Sequence, residues 1–570
     1  MFIALRGARE DGVRRAALSM ARQGFIEGPR HTWHDGELST WQHPSQLGTE
    51  ICTAELPSGT AFGVGPLWYR GRFGSHAAAL LLKEAERNDT VDEMQLRGNF
   101  VLFLRTRDRC LLLNDAFGFA RIYASADATF YSSSWLAVCA YAGSSDIDER
   151  AAAEYVLLGA SHSNETVAAG ITTLPLAHAF DLIQRHSRPR LPAGYWNQDE
   201  TPSSFERAVD RICDHLRTVH QEVSNAFPGR TRAALSGGLD SRLIVAGLMA
   251  VGSRPDLFVY GNAQSEDVRI AEAVAGSANL SLKIIDKSIA NRQTPPPDLE
   301  RLVQSSLFFD GLPNDGVYDA GADQATRLEQ TAGGCIALNG GGGEIFRNFF
   351  HLPDRSMHAV DIVRAFYRGF DPGVFRRRNG LASWEERLAS SIEHVVATPG
   401  VRVLDRRQVE LAYPLFRCHY WMAVNNSVAT RHGFYATPLV DLNAVKLACG
   451  LPLAWKNAGR LESRLVTRLH SELANQPSSY GFRFSSGPDR HARFTEWATC
   501  TRPVFTRPFI NAVRRRLGKQ HVSIAMVAHC RSLLPGEWRL DSLLDLNRLP
   551  DNAAFARALA VEIAWRELIR

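Results

Sequence analysis

The spacing of apolar residues changes twice along the chain. Over the first two hundred residues they come in short β-type runs. Val101–Leu104 and Cys110–Leu113, parted by charged residues, carry the signature of a hairpin. This part reads as mostly strand. Leu191–Ser204 mixes prolines and acidic residues with the pair Tyr195-Trp196 and reads as a linker. Ala208, Val209, Ile212, Leu216, Val219 and Val223 then recur at helical spacing, which predicts a helix with one apolar face. After it, strands and helices alternate. Strands are predicted at Thr231–Leu235, Leu257–Tyr260 and Ser281–Ile285, with helices at Arg242–Ala250 and Glu266–Ala275, the latter closed by Gly276. Alternation at this interval predicts a parallel sheet covered on both faces. Beyond about residue 355 the pattern is mainly helical, with no internal repeat or low-complexity tract.

Composition adds bounds. A chain of 570 residues implies two to four domains, and 45% hydrophobic with 22% charged residues allows sizeable cores. A net charge of +5 is small for this length, so no nucleic-acid partner is expected. The runs Arg376–Arg378 and Arg514–Arg516 read as solvated helix faces. Nine cysteines, odd in number and never in a C-x-x-C pair, fit a reducing compartment rather than a disulfide framework or a zinc site. Eighteen histidines include no H-E-x-x-H spacing, and none is assigned to a metal. The opening MFIALRGAREDGVRRAAL has too short an apolar stretch for a secretory signal, and no run reaches the ~18 apolar residues of a membrane span. A cytoplasmic protein without a membrane partner is the expectation.

The most informative stretch is AALSGGLDSRLIVAGL. A strand ending at Leu235 runs into Ser236-Gly237-Gly238-Leu239-Asp240-Ser241, and a helix follows. Two glycines let the backbone approach an anion, while amides, the helix N-terminus and two serine hydroxyls offer donors to phosphates. Asp240 beside polyphosphate makes sense with a hard Mg²⁺ between them. The plainer alternative is a Ser/Gly turn that binds nothing. No G-K-[ST] follows, so this is not a Walker loop. A second glycine-rich loop, Asn339-Gly340-Gly341-Gly342-Gly343-Glu344, permits close backbone approach to a nucleotide or substrate; taken alone it is a flexible loop.

SGGLDS resembles the pyrophosphate loop of the ATP pyrophosphatase superfamily, and the chain resembles asparagine synthetase over most of its length. LRGNFVLFL…LLLNDAFGFARIY is similar to the family's glutaminase-domain core. Thr166…Gly170-Ile171…Leu174-Pro175, then Tyr195-Trp196, resembles its inter-domain stretch. GNAQSEDVRIAEAVA, with Gly261 and Asp267, resembles the segment after the second strand, Tyr318-Asp319 a family Tyr-Asp pair, and GFYATPLVD the family's G-V-E-x-R-x-P-F-L-D. The resemblance implies a β-rich, Ntn-hydrolase-like sandwich over 1–195, followed by a parallel-sheet synthetase domain over 204–570 with extra C-terminal helices. It implies ATP and Mg²⁺ as cofactors. Ser236, Gly237, Gly238, Asp240, Ser241, Gly261, Asp267, Gly340, Gly341 and Gly342 fall at the nucleotide, and Asp240 and Glu344 at the metal. Glu344 overlays the family's magnesium-binding Asp.

Departures narrow the expectation. Phe2 stands where a glutamine-dependent synthetase carries its cysteine nucleophile, and Arg70-Gly71-Arg72 replaces the glutamine-holding N-G-E, so no glutaminase chemistry is expected. The family lysine is absent from Pro477–Phe484, where Arg483 is the nearest cation and the candidate for stabilising the transition state. The family's Glu in the glycine loop is replaced by Gly341. The expected reaction adenylates a substrate carboxylate, releases pyrophosphate, and passes the acyl group to an amine or ammonia, with Glu344 and Arg483 assisting. Relatives of this kind include β-lactam synthetases and lasso-peptide cyclases. The alternatives are a peptide macrolactam synthetase and a non-catalytic nucleotide-binding scaffold. Asp310, Asp315 and Asp319 are candidates for the acceptor side, with a solvated acidic loop the plainer reading of the first two. His491–Arg516, basic and aromatic, suits an extended partner, and a homodimer is a possible assembly.

Overall fold

The computed structural model describes the chain apart from residues 6, 29, 34–37, 42–51, 89–90, 144–145, 198–201, 289–294, 319–320, 398–399, 512–521 and 570. Asp319 and Arg514–Arg516 therefore lie outside the described residues.

The N-terminal region holds two six-stranded antiparallel sheets. One runs in the order Thr172–Thr173, Tyr123–Ala124, Phe130–Ser132, Phe2–Leu5, Leu38–Trp41, Arg30–Trp33. The other runs His186–Pro189, His178–Asp181, Cys110–Asn114, Val101–Arg105, Gly59–Val64, Cys52–Leu56. The predicted hairpin forms the centre of the second sheet, with Leu111 opposite Leu104 and Leu113 opposite Leu102. Period-two alternation then divides its side chains. Leu102, Leu104, Leu111 and Leu113 pack on Ala77, Ala78, Leu81 and Leu82 of the helix Gly74–Asn88. Val101, Phe103, Cys110 and Leu112 face Ile3, Leu5 and Leu38 of the first sheet. The far side of that first sheet, through Ala4, Trp41 and Phe130, shares a core with the helices Glu10–Arg22 and Trp135–Ala142. The layers are helix, sheet, sheet, helix. The expectation of mostly strand overlooks these helices. Trp135–Ala142 shows why: seven of its eight residues are buried, so it has no polar stripe to betray helical spacing.

The helix Phe205–Ala226 buries all six residues of the predicted stripe, and Ser204 caps it by accepting from Arg207 N at 3.3 Å. It leads into a five-stranded sheet in the order Leu282–Ile285, Asp256–Tyr260, Thr231–Ala234, Ile336–Leu338, Phe434–Ala436. Every neighbouring pair is parallel. The chain starts at Thr231–Ala234, steps outward twice, and returns to lay Ile336–Leu338 on the other flank of that first strand. Two boundaries differ from expectation. The helix after the first strand spans Leu239–Ala250, because Leu239, Asp240 and Ser241 form its first turn behind Gly238. Glu266–Ser277 runs through Gly276 and is capped at Ala278; a side chain at Gly276 would meet only open space, so nothing breaks the helix there.

The remainder is mainly helical. Its helix Asn552–Ile563 returns to the N-terminal region and packs on Glu149–Leu158, where Arg557 donates to Val156 O at 2.7 Å and Asn314 O at 3.0 Å. One continuous core reaches from Ala4 through Leu243 to Ile563. Paired charges seal the junction between the β-rich region and the parallel sheet, as buried charges require. Arg97 bridges Glu222 (2.9 Å) and Asp441 (3.1 Å), and His215 Nε2 lies 2.9 Å from Asp441. Asp310, read above as a solvated loop residue, is instead buried. It accepts from Ser134 Oγ at 2.6 Å, from Trp135 N at 2.7 Å and from Leu136 N at 3.2 Å, and pairs with Arg431 at 3.2 Å. Asp315 is exposed, as are Arg376–Arg378. All nine cysteines are free thiols, and no described helix is long and apolar enough to cross a membrane.

Candidate functional site

Strand order in the parallel sheet reverses between Thr231–Ala234 and Ile336–Leu338, so the loops leaving their carboxyl ends diverge and open a crevice, the usual ligand position in such sheets. The two sequence-predicted loops, Ser236–Ser241 and Asn339–Glu344, are those two connections. The first is braced from within. Ser241 Oγ accepts from Ser236 N and contacts Ser236 Oγ, both at 3.0 Å, while Ser236 Oγ accepts from Gly238 N at 3.2 Å. Asp267 Oδ1 accepts from Gly237 N at 2.8 Å, so Asp267 shapes the loop from the neighbouring helix. Gly261 ends the strand before that helix and lies against its N-cap Ser265. The helix Leu239–Ala250 itself has no side chain capping its N-terminus, so its dipole and first amides remain available to an anion.

The glycines let the two loops touch. A Cβ on Gly340 would stand 2.9 Å from Ser241 N and 3.0 Å from the Asp240 carbonyl carbon. Gly342 adopts φ +93°, a conformation side chains rarely take, and a Cβ there would run into Val440. Gly341 lies against Met422. From the opposite wall, Ser479 N donates to Gly237 O at 3.1 Å. Buried Arg242 holds that wall in place through the carbonyls of Leu473, Gln476 and Pro477, its guanidinium 4.5 Å from the Phe484 ring.

Between the loops three carboxyls converge on one guanidinium. Arg347 lies 2.5 Å from Asp240 Oδ2, 3.4 Å from Glu344 Oε1 and 4.0 Å from Glu462 Oε2. Its other arm donates to Tyr480 Oη at 2.6 Å. Glu344 also accepts from Tyr413 Oη at 2.5 Å and from Gly342 N at 3.0 Å. Glu462 is fully buried on the helix Arg460–Leu469. Asp240 and Glu462 are close enough to shift each other's titration. The two carboxyls lie against each other, and no N–H or hydroxyl group donates to Asp240 Oδ1 or to either Glu462 oxygen. Burial pushes Asp240 up to about 6, against the pull of Arg347 and with a further push from Glu344. Burial, then Asp240, lifts Glu462 well above the usual carboxylate range. Burial alone would lower Arg347; the carboxylates around it hold it well above its ordinary value and firmly charged. Three ionised carboxylates against one guanidinium leave two negative charges unmatched. Such a cluster must hold protons or a divalent cation.

No protein-family model and no curated protein matches this chain. The chemistry of the site rests on its own residues.

A cavity of about 750 Å³ borders this cluster, lined by Leu239, Glu344, Arg347 and Tyr480 together with Phe349 and Phe366. Among the predicted residues, Ser236, Gly237, Gly238, Asp240, Ser241, Asp267, Gly340, Gly341, Gly342 and Glu344 come together here. Arg483 does not. It is exposed, while its neighbours Tyr480 and Phe482 turn to the cavity. The cation beside the carboxylates is Arg347, three residues past Glu344. Sequence reasoning also missed Glu462. Its signal was available, since RLESRLVTRL places Glu462 on the same helical face as Leu465, Val466 and Leu469.

Proposed function

We propose that this chain is an ATP-dependent, amide-forming synthetase related to asparagine synthetase, which adenylates a carboxylate and passes it to an amine or ammonia. The observation that carries the reading is the carboxylate cluster around Arg347, placed at the switch point between a phosphate-type loop and an open cavity. The donors fit Mg²⁺: hard oxygens, three of them without an N–H or hydroxyl donor, in a cluster where carboxyls outnumber cations. Asp240 and Glu462, with Glu344 beside them, would hold it, and it would neutralise the ATP phosphates. The loop Ser236–Ser241 and the Leu239 helix N-terminus receive the departing pyrophosphate. Arg347 supplies the fixed charge that the family takes from its lysine, and Tyr480 orients it. The acceptor lies in the 750 Å³ cavity, large enough for a small molecule or the end of a peptide, so macrolactam formation is one form the reaction could take.

On this reading residues 204–570 are the synthetase domain. Residues 1–195, layered helix, sheet, sheet, helix, are an Ntn-hydrolase-like amidotransferase relic without glutaminase activity. Arg70, in the segment that would clamp glutamine, is bound to Glu84 at 2.9 Å. A second reading, a nucleotide-binding scaffold without catalysis, draws on Arg347 itself, which already neutralises the carboxylate the metal would need.

Pyrophosphate release from ATP and Mg²⁺ across a panel of carboxylates, for wild type and Asp240→Asn, separates them. Substrate-dependent release lost in the variant supports the synthetase. Tight ATP binding with no release supports the scaffold, and no ATP binding refutes both.

A further inference from the structure

A second cluster of metal-ligating groups, separate from the Asp240, Glu344 and Glu462 carboxyls, borders the same cavity. His351, Glu496 and Cys500 bring their ligand atoms within 4.8 Å of one another, with His351 Nδ1 3.7 Å from Glu496 Oε1. Ligand atoms around a tetrahedral zinc, at ordinary Zn–N, Zn–O and Zn–S distances, are spaced about 3.3–3.6 Å apart. Each side chain therefore needs to move by about an ångström or less to enclose an ion. Glu496 and Cys500 are four residues apart on the helix Arg490–Thr501 and share one face. His351 arrives from the segment that follows Arg347.

The cluster is held in place. Glu496 Oε2 accepts from Ala458 N, leaving Oε1 toward His351. Cys500 Sγ accepts from Asn348 Nδ2 at 3.4 Å, and Asn348 is itself buried, its carbonyl accepting from His351 N at 3.1 Å. An N–H donor to the sulfur and an anchored carboxylate are the outer partners that metal ligands ordinarily require. His351 adopts φ +47°, a strained backbone for a non-glycine residue. Arg507 fixes that turn by donating to His351 O at 2.6 Å and Phe350 O at 3.1 Å. From that turn the imidazole lies beside Glu496. The cluster also stands between two cavities: Glu496 lines both, His351 the one of about 750 Å³ and Cys500 the one of about 600 Å³.

We propose that His351, Glu496 and Cys500 form a binding site for a zinc-type divalent cation, with a fourth position open to water or a bound molecule. Mixed nitrogen, sulfur and oxygen ligands select a borderline-soft ion over Mg²⁺, and three protein ligands plus an open position mark a reactive rather than a closed structural site. A thiolate and a carboxylate balance the charge of the ion. Occupation joins the helix Arg490–Thr501 to the His351 turn and sets one wall of the cavity. The site stands independently of the synthetase reading.

The test is cobalt titration of the untagged, chelator-stripped, full-length protein in excess Mg²⁺. One cobalt per chain is expected, with a thiolate-to-cobalt absorption in the near ultraviolet. That band disappears in Cys500→Ser and persists in Cys530→Ser, and Glu496→Gln and His351→Ala weaken binding by at least about tenfold. Failure of the wild-type protein to give the band, or its survival in Cys500→Ser, overturns the proposal. Because the wild-type titration decides first, misfolding of a variant cannot rescue it.

Discussion

Replacing Arg347 with Met removes the only guanidinium in contact with Asp240, Glu344 and Glu462 among the described residues while keeping most of its bulk. Stripping a buried carboxylate of its partner costs about 3–5 kcal/mol when the carboxylate must stay ionised. The cost depends on pH, and its sign follows from the lifted carboxyls. A carboxyl whose folded value stands above its unfolded one makes the folded protein the better proton binder, so stability falls as pH rises through that window. For Asp240 the window runs from 3.8 to about 6. Without Arg347 both Asp240 and Glu462 rise further, and the window extends upward. At about pH 5 the wild-type Asp240 is already largely protonated, and the substitution costs about 1–2 kcal/mol of lost hydrogen bonds. At about pH 8 it costs about 3–5 kcal/mol. Urea unfolding of both proteins at the two pH values measures the difference, which should reach about 2 kcal/mol or more, with the larger loss at high pH. Saturating Mg²⁺ should recover part of the loss at pH 8 in the variant, since a cation at about 100 times its Kd contributes about 2.7 kcal/mol. An equal loss at both pH values would refute charge compensation and leave Arg347 a packing residue.

On the synthetase reading, Arg483→Ala should leave pyrophosphate release within about twofold of wild type, because the side chain is exposed while Tyr480 and Phe482 line the cavity; steady-state kinetics check it. Gly343→Ala places a Cβ within 2.1 Å of Asp240 Oδ1. Displacement of that carboxylate by about 1 Å should lower the same activity by about 10²-fold while far-ultraviolet circular dichroism stays unchanged. Asp441→Asn unpairs His215 and part of Arg97. Burial would raise Asp441, but His215 and Arg97 hold it well below the usual range, so its contribution is present above the unfolded value of 3.8 and is lost as pH falls through and below it. The variant should lose about 3–5 kcal/mol at neutral pH and converge on wild type in acid, read from urea midpoints. Asp310→Ala, which leaves buried Arg431 with Gln23 Oε1 but no carboxylate and takes the side-chain acceptor from Trp135 N, should cost a similar amount.

Local rules carried the sequence far where one element answers to one face. The stripe from Ala208 to Val223 is a helix because its far side meets solvent, and the Val101–Leu113 hairpin is bounded by charges. The loop Ser236–Ser241 was legible because its glycines, serines and following helix are contiguous. What stayed hidden depends on contacts between distant segments. Glu462 joins Asp240 only when the helix Arg460–Leu469 packs beside the helix Leu239–Ala250. Arg483 is exposed between buried Phe482 and Phe484, away from the carboxyls, while Arg347 stood beside a motif already recognised. In the N-terminal region Trp135–Ala142 escaped notice because burial on every side erased its periodicity, whereas Glu10–Arg22 carried a readable stripe at Gly12, Ala16, Ser19 and Met20. His351 joins the pair Glu496 and Cys500, four residues apart on one helix, only when the chain has folded.

The return of Asn552–Ile563 to the Glu149–Leu158 helix sets an order of events during synthesis. The face of Ala152, Ala153 and Val156 belongs to a core completed by Phe555, Leu559 and Ile563. At translation rates of about 5–20 residues per second, the roughly 400 residues between them take about 20–80 s to emerge. Through that interval the N-terminal layers wait with an apolar flank uncovered, and no folding of the nascent chain in strict N-to-C order can finish them. That flank is covered only after Asn552–Ile563 has left the ribosome. A chain interrupted before Asn552 would carry the whole crevice between Ser236–Ser241 and Asn339–Glu344 and still present an unfinished apolar surface to the cell.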